Sequence, residues 1–362
     1  MKKSFTLPSI FKRSVIILAW VTIIFLILFS SNFTSKIKNN EKTLHIFTWS
    51  DVIPSGVIKN FEEEYGIKVV LDYYSSNEEL FIKLKASKGA GYDLIIPSDY
   101  AVKSLSRDGY LKKLDKSKLG FIDDINPMLL SHDYDPENHY SLPLQWDVIG
   151  FGVNTEKFKH SIDDFTWDHL FNENILSYKI AMSNDPVEAF CLASFYLFGK
   201  KAALTPKEAL QAKDLLTTQK KWVEAYAVPR SDFILASKNA AIAYSLSAHV
   251  IRSKKDFPFM QFAVPKDSTF ISIENIAIPA NNNNNENIYK FLNYLYQPEN
   301  LAEACNEFGV FPGTIKPREL LKYKEDFDRI QKTITKDGYE LHFFRHLIPE
   351  EEMRSLWIDV KS

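Results

Sequence analysis

Short apolar stretches alternate with amphipathic stretches through the first third of the chain. Residues 44–47 have the pattern of a buried strand, and the apolar residues after Pro54 recur on one helical face until Gly66, a common helix-ending residue. The pattern predicts further strands at residues 67–74 and 92–98 and further helices at residues 77–85 and 99–107. Strands that alternate with helices at this spacing predict an α/β fold with a parallel, doubly wound sheet.

The chain continues this alternation from about Gly150 onward, with longer intervals. The pattern predicts strands at residues 149–154, 178–183, 239–245 and 273–280 and helices at residues 167–171, 185–199 and 205–217. Five consecutive asparagines at residues 281–285 predict a solvated loop, followed by an amphipathic helix through Tyr296. The tail, residues 316–362, predicts further helices.

Polar and aromatic side chains recur at the ends of the predicted strands. They are Trp49, Ser50 and Asp51 at the first strand, Ser98 and Tyr100 at the third, Asp185 and Glu188 after residues 178–183, and Glu274 beside the last strand. Ligands of open α/β sheets bind in the crevice beyond the carboxyl ends of the strands. We therefore expect these side chains to line one crevice.

The overall composition excludes one class of partner. The chain has 362 residues, a formal net charge of −2 and 45% hydrophobic residues. This balance lacks the basic surface that nucleic-acid-binding proteins present. The length and apolar content are ample for two domains.

The first forty residues differ from the rest of the chain. Four basic residues, the last of them Arg13, precede an uncharged apolar run at residues 15–29, which is typical of an export signal. The run is long for a signal peptide and short for a spanning helix, so cleavage near Ser30 and retention as an inner-membrane anchor both stay open. In either case we expect residues 1–40 to precede a folded part that lies in the periplasm.

Neither the cysteines nor any motif indicates a cofactor or a reaction. Cys191 and Cys305 lie in predicted helices, where buried free thiols are the simple interpretation and a disulfide is the alternative in an exported chain. The sequence lacks a nucleophile elbow, a phosphate-binding loop and a metal-ligand cluster. We expect no cofactor, no metal and no enzymatic activity.

Several segments, taken in order, resemble the spermidine/putrescine-binding proteins of bacterial polyamine ABC transporters. The segments are FTWSDVIPSG, YDLIIPSDYAV, KLDKSKL, YSLPLQW, GFGVN, SNDPVEAF and IENIAIPA. The resemblance implies a type II periplasmic-binding-protein fold with two lobes, each a mixed, mostly parallel sheet flanked by helices, joined by a hinge of crossing strands. The implied lobes are residues 41–147 with 271–320 and residues 148–270 with 321–362.

The resemblance also implies which residues contact a ligand. Trp49, Ser50 and Asp51 match a Trp-Thr-Glu stretch, Ser98 and Tyr100 match a serine and a tyrosine, Asp185 and Glu188 match an acid pair, Glu274 matches an aspartate, Tyr244 matches a tryptophan, and Phe311 matches a tyrosine.

The chain departs from that pattern at three further positions. Val52 replaces a tyrosine, and Ser272 replaces a tryptophan. His342 is a weak match for a glutamine. These changes remove a ring and hydroxyl groups, so the affinity or the preferred polyamine is expected to differ.

The chemistry of a polyamine accounts for acids that alternate with rings. Buried ammonium groups must be paired and hydrogen-bonded, and a carboxylate supplies about 1.5–3 kcal/mol per charge-assisted bond. A cation over an aromatic face gains roughly 0.5–2 kcal/mol more. We therefore expect capture of spermidine or putrescine by a monomer that delivers it to an ABC permease. Binding of another organic cation and, less favoured, a carboxylate-based hydrolase are the alternatives.

Each candidate residue also has a structural interpretation. Asp185 and Glu188 flank a proline in the pattern of a helix N-terminus with a capping box. Trp49 would suit a core position, and Tyr100 and Tyr244 would suit packing near the hinge. Glu274 would suit a loop cap. Trp146 and Asp147 follow the predicted hinge strand, as part of either the cleft or the hinge packing.

Overall fold

The computed structural model describes residues 43–159, 161–227, 231–266, 268–282 and 285–362. The predicted export signal or anchor at residues 15–29 lies outside these ranges. Within them, no helix combines the length and the apolar character that a membrane crossing requires. Both cysteines are buried and free, which confirms the simple interpretation of Cys191 and Cys305.

The strands of the described residues join into one mixed sheet. In chain order they are β1 (Thr43–Thr48), β2 (Lys68–Tyr73), β3 (Leu94–Ile95), β4 (Ser141–Asn154), β5 (Ile180–Met182), β6 (Val223–Tyr226), β7 (Ile242–Leu246), β8 (Met260–Ala263), β9 (Ser268–Ala277), β10 (Phe311–Pro312) and β11 (Glu340–His342). The order across the sheet is β2-β1-β3-β9-β4-β7-β5-β6, while β8 and β10 pair with β4 and β11 pairs with β9.

The helices of the described residues flank this sheet. In chain order they are α1 (Ser55–Tyr65), α2 (Asn77–Ser87), α3 (Asp99–Arg107), α4 (Asp168–Phe171), α5 (Pro186–Phe198), α6 (Pro206–Gln219), α7 (Ser231–Ala236), α8 (Ser247–Ser253), α9 (Asn285–Leu295), α10 (Pro298–Phe308), α11 (Lys324–Ile334) and α12 (Glu350–Lys361). Gly66 ends α1 in the left-handed conformation at φ 65°, as its position predicts.

Two long antiparallel strands stand at the centre of the strand order. β4 and β9 pair from Ser141 opposite Ala277 to Val148 opposite Ile271. On one side of this pair β1 runs parallel to β3, and on the other side β5 runs parallel to β6 and β7. The central pair therefore connects two sets of parallel strands.

The apolar core divides along β4. Leu142 and Leu144 belong to a cluster with side chains of β1 and α1, whereas Phe151 and Val153 belong to a cluster with side chains of β5 and α5. Trp146, between them, belongs to a third cluster. Three packed clusters thus share one strand, and the lobe boundaries given above stay a prediction.

The central strands are longer than the sequence pattern predicts. β4 begins at Ser141, whereas the sequence pattern predicts a start at residue 149. All residues of β4 are buried, so no alternation of polar and apolar residues marks its first half. Pro143, which lacks an N–H, lies where the pairing register with β9 shifts. β9 begins at Ser268, ahead of the predicted residue 273.

The tail, residues 316–362, contains the predicted helices and one short strand that the sequence pattern did not predict. Glu340–His342 form β11, which runs parallel to Ser268–Phe270 at the start of β9. Three residues are too few to show a periodic pattern, and the strand exists because a neighbouring strand supplies its partner. β6 and β8 are likewise short strands that the pattern did not reveal.

Gly313 provides a test of the packing against β4. A Cβ at this position would lie 2.1 Å from the carbonyl oxygen of Pro143 and 2.7 Å from that of Leu144, and the Gly313 N–H donates to the latter oxygen. We expect Gly313→Ala to lower the free energy of unfolding by about 1–3 kcal/mol, because the strand must move to relieve the clash. Chemical denaturation measures this change.

Gly120→Ala is the matched control for that substitution. Its added Cβ would meet only the Asn293 side-chain oxygen at 3.4 Å, so a change near zero is expected. Equal effects of the two substitutions would contradict the description of the β4–β10 contact.

Candidate functional site

A cavity of about 310 Å³ lies where several strands of the two sets end. Eight of the ten ligand-contact residues predicted from the sequence line this cavity. They are Trp49, Ser50, Asp51, Ser98, Tyr100, Asp185, Glu188 and Glu274. The structure therefore brings residues from distant parts of the chain to one crevice beyond the strand ends.

The segment after β1 places an indole and a carboxylate side by side. The Trp49 ring is half-buried and packs against the Tyr74 ring at a centroid distance of 4.5 Å. Its buried N–H has no hydrogen-bond partner among the described residues. Asp51 follows in the left-handed conformation at φ 60°, which aspartate tolerates better than most residues. The strand thus ends in a turn that exposes these side chains to the cavity.

Asp185 caps helix α5 at its N-terminus. Its Oδ1 accepts hydrogen bonds from the N–H of Val187 at 2.7 Å and of Glu188 at 3.2 Å. Because both bonds use the same oxygen, Oδ2 takes no part in the cap. The capping-box interpretation is wrong for Glu188, whose carboxylate accepts a 2.5 Å bond from the Ser183 hydroxyl instead of reaching back to the cap.

Glu274 lies on β9 between the two sets of strands. The Ser98 hydroxyl donates to its Oε1 at 3.1 Å, and the backbones of these two residues form a β-bridge. The Trp49 N–H is near enough to favour the ionised form of this carboxyl without reaching hydrogen-bond geometry. Glu274 is therefore held in the cavity lining by Ser98, in the segment that follows β3.

Tyr100 is positioned by the first turn of α3. Its hydroxyl accepts a 2.8 Å hydrogen bond from the Asn77 side chain at the start of α2. The preceding residue, buried Asp99, accepts from the N–H of Tyr100 at 2.6 Å and of Ile273 at 3.1 Å. These bonds fix the start of α3 against β9, next to Glu274.

Two of the ten predicted ligand contacts, Tyr244 and Phe311, are buried behind the residues that line the cavity. Tyr244 is 3% exposed on β7, with its hydroxyl close to the Glu188 carboxyl. Phe311 is also 3% exposed and packs against the Trp146 ring at 4.4 Å. The structure does not place either side chain at the cavity surface. His342 lies elsewhere, packed against Phe195 at 4.6 Å.

Several lining residues were not among the ligand contacts predicted from the sequence. Trp146 and Asp147, for which cleft and hinge packing stayed open, both line the cavity. Phe308 and Phe344 add aromatic surface, whereas Ser272 and Val52 line it without a ring. Glu78, His249 and Arg252 line it as well. Phe308, Phe344 and Arg252 lie on segments without strand-end signals, so spacing alone could not find them.

Burial raises the pKa of three of the candidate carboxyls, Asp185, Glu188 and Glu274. The pKa of Glu274 rises to about 8, with repulsion from Asp99 as the next cause. The pKa of Glu188 rises to about 7 through burial and then repulsion from Asp185. Burial also raises the pKa of Asp185, against the opposing effect of its backbone hydrogen bonds. In the free protein these groups therefore hold protons more tightly than ordinary carboxyls do.

Two more lining carboxyls behave in the same way. Burial raises the pKa of Asp99 and of Asp147 to about 7. Asp147 accepts hydrogen bonds from the Ser247 hydroxyl and from the N–H of Ala248 and Val148, which limits the shift. The cavity is thus a region where negative charge is costly until a cation compensates it. Within the described ranges, no group of three or more potential ligands could hold a metal ion.

The raised pKa of Glu274 makes the stability of the free protein depend on pH. Its stabilising contribution is fully present below the ordinary pKa of 4.5 and is lost as pH rises through about 8. We expect the free energy of unfolding to fall between about pH 5 and pH 9, and Glu274→Gln to reduce this fall by on the order of 4 kcal/mol. Chemical denaturation across this pH range measures the difference.

Glu286→Gln is the matched control for this pH dependence. Glu286 pairs with Lys290 at 2.6 Å, which lowers the pKa of its carboxyl, so its titration lies below the tested range. A Glu274→Gln variant whose pH profile matched the original protein would contradict the electrostatic description of the cavity.

The chain matches a known protein family over most of its length. The family of bacterial extracellular solute-binding proteins matches residues 56–326. The spermidine/putrescine-binding periplasmic protein of Salmonella typhimurium is 30% identical over 288 residues, which cover 78% of this chain and 81% of that protein. The putrescine-binding periplasmic protein SpuD of Pseudomonas aeruginosa is 32% identical over 283 residues, covering 74% and 77%.

A solved structure confirms the fold class. The spermidine/putrescine ABC transporter substrate-binding protein PotD of Streptococcus pneumoniae superposes with a TM-score of 0.75 at 24% identity, covering 88% of this chain and 98% of that one. The predicted α/β, two-lobed binding-protein fold is therefore correct. With a family match over residues 56–326 and relatives at 30% identity or more, this chain belongs to the bacterial extracellular solute-binding protein family.

Proposed function

We propose that this protein captures a polyamine, spermidine or putrescine, in the cavity and delivers it to an ABC permease. One observation supports this proposal most strongly. Asp185, Glu188 and Glu274 line one cavity, and none of the lysines and arginines in the described ranges forms an ion pair with them. Acids grouped in this way without a protein cation are suited to a cationic ligand.

The two groups of acids suit the two charged ends of an alkyl diamine. Asp185 Oδ2 and Glu188 are available at the start of α5, and Glu274 lies on β9 beside Ser98. Each carboxylate would accept charge-assisted hydrogen bonds from an ammonium group. The rings of Trp49 and Tyr100 would contact the apolar methylene chain and the flanking charge.

Binding without chemistry is the expected activity. The relatives are named as binding proteins of polyamines, and the relative of known structure is named as a transporter substrate-binding protein. A carboxylate-based hydrolase remains the competing class, and it would change its ligand. A binding protein returns the polyamine unaltered after release.

The cellular setting follows from the same relatives. Their names place them in the periplasm, so we propose that this chain is exported, works as a monomer and meets its permease at the inner membrane. The apolar run at residues 15–29 would serve as the export signal or as an anchor. The ligand would contact residues from both sets of strands, so its binding would favour an arrangement that encloses it.

Calorimetry with purified protein tests the proposed ligand and the roles of the acids. We expect spermidine or putrescine to bind with micromolar or tighter affinity. Asp185→Asn, Glu188→Gln and Glu274→Gln should each weaken binding at least about tenfold, or 1.4 kcal/mol, because each removes the charge that pairs with an ammonium.

Glu63→Gln serves as the control, since this residue is exposed on α1 and pairs only weakly with Lys59 at 3.8 Å. It should leave the affinity unchanged. A measurable heat of binding for a sugar or an anion, together with no heat of binding for any polyamine, would refute the proposed function.

The affinity should also depend on pH. An ammonium pairs with an ionised carboxyl, so binding must release the protons that Glu188 and Glu274 hold, with pKa values of about 7 and about 8. We expect the affinity for putrescine to rise at least about tenfold between pH 6 and pH 8.5, since its two primary amino groups stay largely protonated over this range. Calorimetry at intervals of pH measures the profile, and a flat or falling profile is incompatible with capture by these carboxyls.

A further inference from the structure

The cavity contains a cation of its own. Arg252, from α8, is the only lysine or arginine among the described residues that line it, whereas seven acidic residues line the same space. A guanidinium stays charged at every relevant pH. In a site for cations it repels the charge that the acids attract, so its position restricts where a ligand's charges can lie.

Arg252 is directed at the acid that follows β1. Its Nη1 lies 3.3 Å from Asp51 Oδ2, and its side chain is 18% exposed compared with 54% for that of Asp51. The backbone of Gly309 packs directly on the backbone of α8, where an added Cβ would lie 3.3 Å from the Arg252 nitrogen. The pair compensates the charge of Asp51, so this carboxylate is not free to accept an ammonium group of a ligand.

Arg252 also forms one end of the cavity. Among the described residues, it is the one that lines both the cavity and a neighbouring groove, whose other residues include Lys255, Glu299 and Glu303. Its side chain therefore borders both spaces. A ligand that extended past the Asp51 end would have to pass the guanidinium.

The remaining acids form two groups rather than three. Glu78 and Glu188 interact electrostatically with Asp185. Asp99 and Asp147 interact electrostatically with Glu274. Each group can compensate one ammonium, and the third acidic position, Asp51, already has its cation.

We propose that the Asp51–Arg252 pair makes this site selective for an alkyl diamine over a triamine. The proposal rests on the proposed function, which names polyamines as the ligand class. The two ammonium groups of a diamine meet the two acidic groups. The third ammonium of a triamine meets no unpaired carboxylate at the Asp51 end and is repelled by the guanidinium.

Calorimetry with putrescine and spermidine on the original protein and on two variants tests this selectivity. We expect putrescine to bind the original protein at least tenfold more tightly than spermidine does. Arg252→Met keeps an unbranched apolar side chain without the charge, and it should reduce this ratio at least tenfold, mainly by strengthening spermidine binding. Arg252→Lys keeps the charge and should retain most of the ratio.

Lys255→Met is the matched control. Lys255 lines the neighbouring groove and not the cavity, so the ratio should not change. Thermal melting checks that each variant is folded.

The outcomes separate this proposal from the proposed function. Spermidine binding as tight as putrescine binding, or a ratio that Arg252→Met leaves unchanged, overturns the selectivity and leaves polyamine capture intact. Absence of binding by either amine to the original protein overturns both. Equal effects of Arg252→Met and Lys255→Met would show that general surface charge, rather than the ion pair, determines the ratio.

Discussion

Several carboxyl groups line one cavity, and three of them, Asp185, Glu188 and Glu274, have no lysine or arginine paired with them among the described residues. A partly buried carboxylate that lacks a partner is costly, so Glu188 and Glu274 hold protons at pH values where ordinary carboxyls are ionised. The fold stabilises this cavity through the surrounding packing. A bound cation would remove the cost, which supplies a physical source of affinity that exists only when the ligand is present.

The central strand pair determines how these charges meet. Glu274 and Asp147 lie on β9 and β4, which connect the two sets of parallel strands. Asp185 and Glu188 come from the side of β5, and Trp49 and Ser98 come from the side of β1 and β3. A ligand in the cavity therefore contacts both sides and the strands between them. This geometry would couple ligand binding to the relative position of the two sets of parallel strands.

Much of the site could be predicted from the sequence because its residues follow strands with clear signals. Trp49 and Asp185 follow short apolar runs, and the ends of such runs meet at one crevice. The family resemblance alone could not show whether Tyr244 and Phe311 line the cavity. A side chain aligned with a ligand-contacting residue of the family can instead be buried behind the cavity lining. The three-dimensional structure distinguishes the two possibilities, because both side chains are only 3% exposed.

The fold was less predictable where tertiary pairing decides the conformation. β4 is buried along its whole length and contains a proline, so neither periodicity nor propensity marks its first half. β11 has three residues and depends on β9 for its hydrogen bonds. Arg252 lies in the cavity because α8 packs against α10, a contact between segments distant in sequence. In each case, the deciding interaction involves residues that a local pattern does not include.

The central claim is that the cavity holds carboxyl groups whose charge is costly until a cation arrives. Carbon-13 NMR of the glutamate side-chain carboxyls, titrated with and without putrescine and assigned through Glu188→Gln and Glu274→Gln, measures this directly. The account predicts that both carboxyls titrate well above the ordinary value of 4.5 in the free protein and below it in the complex. Ordinary pKa values in the free protein, or values that putrescine leaves unchanged, would contradict it.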